Sequence, residues 1–199
     1  MTETVPVLHL ASSSPRRAQI LRSLGIAFSA AGTDVEELQH AGEAADALVL
    51  RLATEKAAWA RRHCGLPVLA ADTAVVLDGA VFGKPRDRAE ALDMLARLSG
   101  RSHEVMTGVA LHWADGQRTA LSVSEVRFRE IRPDEALAYW HSGEPQDKAG
   151  AYAIQGRGGV FVAALRGSYS GVVGLPVFET AALLADASID VIGVRLKHD

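Results

Sequence analysis

The chain has 199 residues, 48% of them hydrophobic and 23% charged, with a formal net charge of −3. A chain of this length buries enough apolar surface to fold without disulfides or structural metals. Its slight negative charge argues against a nucleic-acid-binding protein, which needs a clear basic excess.

Further features of the sequence indicate one cytoplasmic domain. Residues 1–6 lack the basic and apolar regions of a signal peptide, and no apolar run approaches the roughly 20 residues of a membrane span. Cys64 is the single cysteine, so there is neither a disulfide framework nor a thiolate metal site. No linker-like or repetitive segment interrupts the chain. We therefore expect a single domain over residues 1–199, cytoplasmic and without membrane contact.

The first predicted elements enclose a turn rich in hydroxyl groups. Residues 7–10 form a short apolar strand, and Ser14 followed by Pro15 is typical of a helix N-terminus. The free N–H groups of that helix, the serine hydroxyls and the guanidinium groups of Arg16 and Arg17 favour an anion with several oxygens, such as phosphate. The alternative is an ordinary capped helix with two solvated arginines.

The next apolar segments predict a strand, an acidic turn, a long helix and a second buried strand, over residues 26–31, 33–37, 44–64 and 67–72. The second of these strands is expected to end at Asp72, at the edge where open α/β sheets bind their ligands. A carboxylate among apolar neighbours needs compensation, by a metal ion or by ordered water. The alternative is that Asp72 only caps the following turn.

Hairpins dominate the middle of the chain. Asp-Gly dipeptides at 78–79 and 115–116 predict the turns of two hairpins, which span residues 75–82 and 105–129. The other predicted elements are a helix between Asp87 and Gly100, a helix over 133–141, a strand over 161–165 and a helix over 177–187. This order predicts an α/β fold in which a sheet with antiparallel additions carries helices on its faces.

Several familiar ligand-binding motifs are absent from the sequence. The dinucleotide-binding G-x-G-x-x-G pattern is missing, and residues 79–85 resemble a P-loop but are one residue short, with Pro85 in the place of the metal-binding hydroxyl. Tyr169 occupies the serine position of a nucleophile elbow over residues 167–171. The histidines lack metal-ligand spacing, so a zinc site is not expected.

The candidate chemistry depends on Asp72 and a divalent cation. An unperturbed aspartate has a pKa of about 3.9 and bulk water one of about 15.7, so direct proton transfer is uphill by roughly 16 kcal/mol. A divalent cation bound by the same carboxylate lowers the pKa of the water, and Mg²⁺ prefers carboxylate and phosphate oxygens. Glu36 or Glu37 would supply a second carboxylate, although acidic turns are commonly only solvated.

Other polar residues match the needs of a nucleotide. Arg16, Lys56 and Lys84 together would neutralise a polyphosphate, although each lysine alone is more typical of a surface. Gln155, in the polar segment 143–156, offers the donor and the acceptor that the imide edge of uracil or thymine requires. The alternative is a turn glutamine that faces solvent.

Short segments in a fixed order give the chain a close resemblance to the Maf family of nucleoside triphosphate pyrophosphatases. They are LASSSPRR at 10–17, EKA at 55–57, ADT at 71–73, GKP at 83–85, LSG at 98–100, DKAGAY at 147–152, IQG at 154–156 and VGLP at 173–176. Each segment alone is weak, and their order and spacing together are specific. The segments DKAGAY at 147–152 and IQG at 154–156 resemble the branch of the family that acts on dTTP and UTP.

This resemblance implies an elongated α/β fold like that of inosine triphosphate pyrophosphatases, with a cleft between two lobes, and a homodimer. It implies metal-dependent cleavage between the α- and β-phosphates, with Mg²⁺, Mn²⁺ or Co²⁺ as the cation and a nucleoside monophosphate and pyrophosphate as products. By position, Asp72 resembles the proton acceptor, and Glu37 with Asp72 the metal-binding pair. The remaining positions resemble base-selectivity residues (Arg16, Thr73 and Gln155) and polyphosphate contacts (Ser12, Arg17, Lys56 and Lys84).

Two other classes of function remain open from the sequence. The same serine and arginine residues would serve a nucleotide-binding regulator of cell division that has no useful turnover. Hydrolysis of another phosphoanhydride or of a sugar phosphate is the third possibility.

Overall fold

A computed structural model describes residues 5–192. Its strands are β1 (Leu8–Ala11), β2 (Phe28–Ala31), β3 (Val68–Leu77), β4 (Ala80–Phe82), β5 (Ser102–Trp113), β6 (Gly116–Phe128) and β7 (Val162–Arg166). Its α-helices are α1 (Pro15–Ser23), α2 (Ala45–Arg61), α3 (Arg88–Leu98), α4 (Pro133–His141), α5 (Tyr169–Val173) and α6 (Val177–Asp186). Three 3-10 turns cover Glu144–Asp147, Ala149–Ala151 and Arg157–Phe161.

The strands form one seven-stranded mixed sheet in the order β2-β1-β3-β5-β6-β7, with β4 paired to β3. β1 is parallel to both β2 and β3, and the later strands are antiparallel to their neighbours. This arrangement confirms the predicted α/β sheet with antiparallel additions and flanking helices. The predicted single-domain organisation over residues 1–199 stays a prediction.

The local signals of the sequence are confirmed at two helix N-termini and in the turn of the first hairpin. The second predicted turn, at 115–116, is displaced by one residue: the chain turns at 114–115, and Gly116 already belongs to β6. Ser14 precedes α1, and its Oγ accepts the backbone N–H of Arg17 at 3.5 Å. Asp78 and Gly79 both have positive φ, 52° and 78°, as the tight turn between β3 and β4 requires. Before α3, the Asp87 carboxylate accepts the N–H of Glu90 at 2.8 Å.

The expected end of β3 at Asp72 is wrong, because the strand continues to Leu77. The backbone of Asp72 pairs with Gly108 of β5, so the ladder carries on through the acidic residue. The pairing of β3 with β1 stops at Leu69, three residues earlier. Asp72 therefore lies in the middle of a long strand, just beyond its parallel part, and not at a strand end.

Two large apolar clusters pack on the sheet at different places along β3. One cluster combines β1, α1 and α6 with Leu69 and Ala71. The other combines α3 and α4 with Val75 and Leu77, farther along the same strand. Within residues 5–192, no helix has the length and apolar character needed to cross a membrane.

Candidate active site

A cavity of about 720 Å³ opens between the β1–α1 turn on one side and β4 with the segment 147–155 on the other. This cavity is the cleft that the sequence led us to expect. All nine predicted site residues line it: Ser12, Arg16, Arg17, Glu37, Lys56, Asp72, Thr73, Lys84 and Gln155. Glu36, the alternative acidic residue, does not.

A lysine between two carboxylates forms the centre of the cavity. The Nζ of Lys56 donates to Glu37 Oε1 at 2.5 Å and to Asp72 Oδ1 at 2.6 Å. Lys56 is 5% exposed and Asp72 is 8% exposed, whereas the Glu37 side chain is 43% exposed. Lys84, at the cavity rim, donates to the other oxygen of Glu37 at 3.1 Å. The lysine thus provides the compensation that the buried charge of Asp72 requires.

Close packing of α2 on the sheet brings Lys56 to Asp72. A Cβ atom at Gly108 would lie 2.5 Å from the carbonyl oxygen of Val49 on α2. Gly108 is the residue that pairs with Asp72 in the sheet. Lys56 follows Val49 on the same helix, two turns later, and reaches back to the carboxylate. The absence of a side chain at residue 108 is one feature that sequence reasoning missed.

The positive charges at the cavity set the ionisation of Glu37. Partial burial by itself raises the pKa of this carboxyl, but the hydrogen bonds and charges of Lys56 and Lys84 outweigh it and lower the pKa to about 2. Glu37 is therefore a carboxylate at neutral pH.

Arg17 belongs to a separate polar network on the β1 side of the cavity. Its Nε donates to the carbonyl oxygen of Gly174 at 2.7 Å, and its Nη atoms lie 3.4 Å from Ser12 Oγ and 3.3 Å from Thr73 Oγ1. The Thr73 hydroxyl also lies 2.9 Å from that of Thr107, which donates to a backbone carbonyl. Burial lowers the pKa of the Arg17 guanidinium, and the nearby carboxylates act in the opposite direction. Thr107 and the Gly174 carbonyl were not identified from the sequence.

Gln155 approaches helix α1, which carries Arg16. Arg16 Nη1 is 3.8 Å from Asp147 Oδ2. Gln155 Nε2 is 3.3 Å from the Oε1 of Gln19, which follows Arg16 by nearly one turn on α1. The third predicted selectivity residue, Thr73, is instead held in the Arg17 network.

Glu37 and Asp72 are the residues that could hold a divalent cation. Their oxygens are hard ligands, and both lie within 2.6 Å of one point, the Lys56 ammonium. Among residues 5–192 no group of three or more histidine, cysteine or acidic side chains is arranged for a metal. A pair of carboxylates fits Mg²⁺ when phosphate oxygens and waters complete the shell.

The fold and the cavity define an α/β protein whose cleft combines paired carboxylates with several cationic side chains. The model of the family described as "Maf-like protein" matches residues 7–187, and the chain belongs to the Maf family. The resemblance inferred from the short motifs is thereby confirmed.

Individual relatives agree with this assignment. The chain is 55% identical to the dTTP/UTP pyrophosphatase of Methylococcus capsulatus, over 89% of each chain. It is 54% identical to the dTTP/UTP pyrophosphatase of Myxococcus xanthus, over 92% of this chain and 93% of the relative. A solved structure of a HAM1 protein from Coxiella burnetii is more distant, with a TM-score of 0.46 and 21% identity over 62% of this chain and 73% of that one.

Proposed function

We propose that this protein is a nucleoside triphosphate pyrophosphatase that cleaves dTTP and UTP to the monophosphate and pyrophosphate. The names of its relatives from M. capsulatus and M. xanthus support this substrate class. The observation that carries the proposal is the Glu37–Lys56–Asp72 group, which lies in one cavity with Arg16, Arg17 and Lys84. A triphosphate needs cations along its length and a proton acceptor near the bond that breaks.

Asp72 is the proton acceptor in this mechanism. Its carboxylate takes the proton from the water that attacks the α-phosphorus, while the bond from that phosphorus to the bridging oxygen breaks. Lys56 holds the carboxylate in place through a 2.6 Å hydrogen bond. Glu37 and Asp72 would hold a divalent cation, which would lower the pKa of the attacking water and offset phosphate charge when bound. Mg²⁺ fits these ligands best, with Mn²⁺ or Co²⁺ as alternatives.

The cationic residues have separate tasks along the triphosphate. Arg17, fixed by its bonds to Ser12 and to the Gly174 carbonyl, presents its guanidinium to phosphate oxygens. Lys84 is more exposed and offsets the charge that develops on the departing pyrophosphate. Ser12 adds a hydroxyl beside the N-terminus of α1, which itself favours anions.

Base selection is assigned to Arg16 and Gln155, with Thr73 contributing from the Arg17 network on the other side of the cavity. The Gln155 amide provides one donor and one acceptor to the imide edge of uracil or thymine. Cytosine presents a different pattern at that edge, with an amino group in place of one carbonyl oxygen, so the same amide orientation does not fit it.

The test is hydrolysis of a panel of nucleoside triphosphates in the presence of Mg²⁺, with separate detection of pyrophosphate and orthophosphate. We expect pyrophosphate from dTTP and UTP. Asp72→Asn should lower kcat by about 10³-fold, within the range typical of lost general-base catalysis, and should leave the fold intact. Asp93→Asn, on the exposed face of α3, is the control and should keep full activity. Tight nucleotide binding without pyrophosphate release would instead favour a regulator, and full activity of Asp72→Asn would refute its role.

Location and assembly are also part of the proposal. We infer a cytoplasmic homodimer that contacts neither nucleic acid nor membrane. The reduced Cys64 and the negative net charge are consistent with this. Sedimentation equilibrium of the full chain decides the assembly, since a monomer at micromolar concentration would rule out a stable dimer.

A further inference from the structure

Two side chains outside the cavity hold the loop that carries Gln155. Tyr139, near the end of α4, is 5% exposed, and Glu144 begins the 3-10 turn that follows. The Tyr139 hydroxyl donates a hydrogen bond of 2.7 Å to Glu144 Oε1. Neither residue lines the cavity. They form one polar pair that lies behind the loop.

Three backbone N–H groups of the loop donate to this pair. The Ala153 N–H donates to the Tyr139 oxygen at 3.1 Å. The N–H groups of Arg157 and Gly158 donate to the two oxygens of Glu144 at 2.9 Å and 3.0 Å. These donors lie on both sides of Gln155 in the chain. The backbone is therefore anchored before and after the residue that faces the cavity.

The glycines beside Gln155 are explained by this contact. A Cβ atom at Gly156 would lie 2.3 Å from Glu144 Oε2, and one at Gly158 would lie 2.5 Å from the Tyr139 hydroxyl oxygen. Such distances are far below van der Waals contact, and the phenol and carboxylate are held by each other. Only glycine lets the loop lie directly on the pair at these two positions.

The carboxylate of Glu144 is suited to this task. Partial burial alone raises the pKa of the group, but the N–H groups of Gly158 and Arg157 and the Tyr139 hydroxyl lower it below its ordinary range. An ionised carboxylate accepts several hydrogen bonds at once and makes them stronger than a neutral acceptor does. The same turn carries Asp147, which faces Arg16 at 3.8 Å.

We propose that Glu144 and Tyr139 are positioning residues for base discrimination. They fix the backbone around Gln155 so that its amide meets the base in one orientation, while the phosphate end of the site is left unchanged. This inference rests on the proposed function, because it assigns a cause to the preference for uracil and thymine over cytosine.

The test uses Tyr139→Phe and Glu144→Gln and measures kcat and KM for UTP and CTP. We expect the ratio of kcat/KM for UTP over CTP to fall about 10-fold, as for the loss of a hydrogen bond to a charged group. The change should lie in KM for UTP, with kcat nearly unchanged. The matched controls are Tyr169→Phe and Glu125→Gln, whose side chains are exposed on α5 and β6, and both should keep the wild-type ratio.

A second comparison separates positioning from general stability. In a Gln155→Ala background, Tyr139→Phe should cause no further loss of discrimination, since the group it positions is gone. An unchanged ratio in the single variants, equal loss of kcat for both nucleotides, or a further fall in that background would overturn the proposal. Thermal melts of each variant identify one that fails to fold, and Tyr139→Phe, which removes one oxygen, is the milder change.

Binding of non-hydrolysable UTP and CTP analogues keeps the two proposals apart. If the wild type releases no pyrophosphate, the proposed function fails, and the ratio of the two Kd values still decides the role of the pair. Loss of the binding ratio in Tyr139→Phe supports positioning. A wild type that binds both analogues equally overturns it.

Discussion

The side chain of Lys56 is the central charge of the candidate site. It is 5% exposed and lies between Asp72, also buried, and the more exposed Glu37. Removing one partner of a buried ion pair leaves an uncompensated charge. The resulting loss of stability is larger than the net stability that the intact pair contributes. The arrangement therefore depends on all three charges together.

Replacement of this lysine by an uncharged residue of similar length tests the point. Lys56→Met should lower the free energy of unfolding by roughly 3 kcal/mol, because Asp72 stays buried without a partner. It should also lower kcat for dTTP by about 10²-fold or more, since the carboxylate loses its fixed position. Urea denaturation and steady-state kinetics measure the two effects.

The double variant Lys56→Met/Asp72→Asn gives the control. With both charges removed, a large part of the lost stability should return, while activity stays low. Equal stability of the single variant and the wild type would show that Asp72 is compensated by some other group.

At the scale of elements, the contact between α2 and β5 places Lys56 beside Asp72. The backbone of α2 approaches Gly108 so closely that a Cβ atom there would lie 2.5 Å from Val49 O and 2.8 Å from the nitrogen of Leu50. Both neighbours are helix backbone, so they move only if the whole helix moves. The distance between α2 and the sheet is thus set by one residue.

Gly108→Ala is expected to force α2 away from the sheet. The strain should lower the free energy of unfolding by about 2 kcal/mol, as for other overpacked sites, and should lengthen the contact of Lys56 with Asp72. At a temperature where Gly108→Ala is fully folded, its kcat should therefore still be lower than that of the wild type. Gly65→Ala, where nothing lies within 4 Å of the added atom, is the control. Wild-type kinetics of Gly108→Ala would contradict this account.

The elements that the sequence predicted well are those with local signals. Helix α4 begins at Pro133 and ends at His141 as expected, and the hairpin turn at Asp78 and Gly79 has the φ values that its residues favour. The extent of β3 was not predictable in this way, because Asp72 interrupts the apolar pattern while its backbone pairs with a distant strand.

The candidate site was predicted as a set of residues but not as a set of contacts. All nine residues predicted from motif order line the cavity, yet nothing in that order indicates that Lys56 bridges two carboxylates. Glu144 was missed because it acts on backbone N–H groups of residues 157 and 158, which leave no periodic pattern. Contacts of this kind are a product of the tertiary fold.

Across the whole molecule, the candidate site lies where the two large apolar clusters meet. Along β3, Ala71 packs in one cluster and Val75 in the other, and Asp72 lies between them. Along β5, Val109 packs in the same cluster as Ala71 and Val105 in the same cluster as Val75, with Gly108 between them. Both clusters therefore support the strands that carry the site, and loss of packing in either one disturbs it.

One buried histidine, which packs against Phe128 and Tyr152, makes the stability of the molecule depend on pH. His103 is 3% exposed, lies edge-on to Phe128, and has its Nε2 2.8 Å from the hydroxyl of Tyr152. Its Nδ1 has no hydrogen-bond partner among residues 5–192. Desolvation lowers its pKa from 6.5 to about 4. Between these values the unfolded chain binds a proton that the folded chain does not.

The contribution of His103 to the free energy of unfolding should therefore be fully present above pH 6.5. It should be lost progressively as the pH falls towards 4, by roughly 3 kcal/mol in all. His103→Gln removes the titrating group, so its free energy of unfolding should fall less between pH 7 and pH 4.5 than that of the wild type, even if it is less stable at pH 7. His141→Gln, the same substitution at an exposed position at the end of α4, is the matched control. Denaturant titrations at the two pH values measure the difference. Parallel declines in wild type and His103→Gln would mean that His103 is already charged in the folded protein.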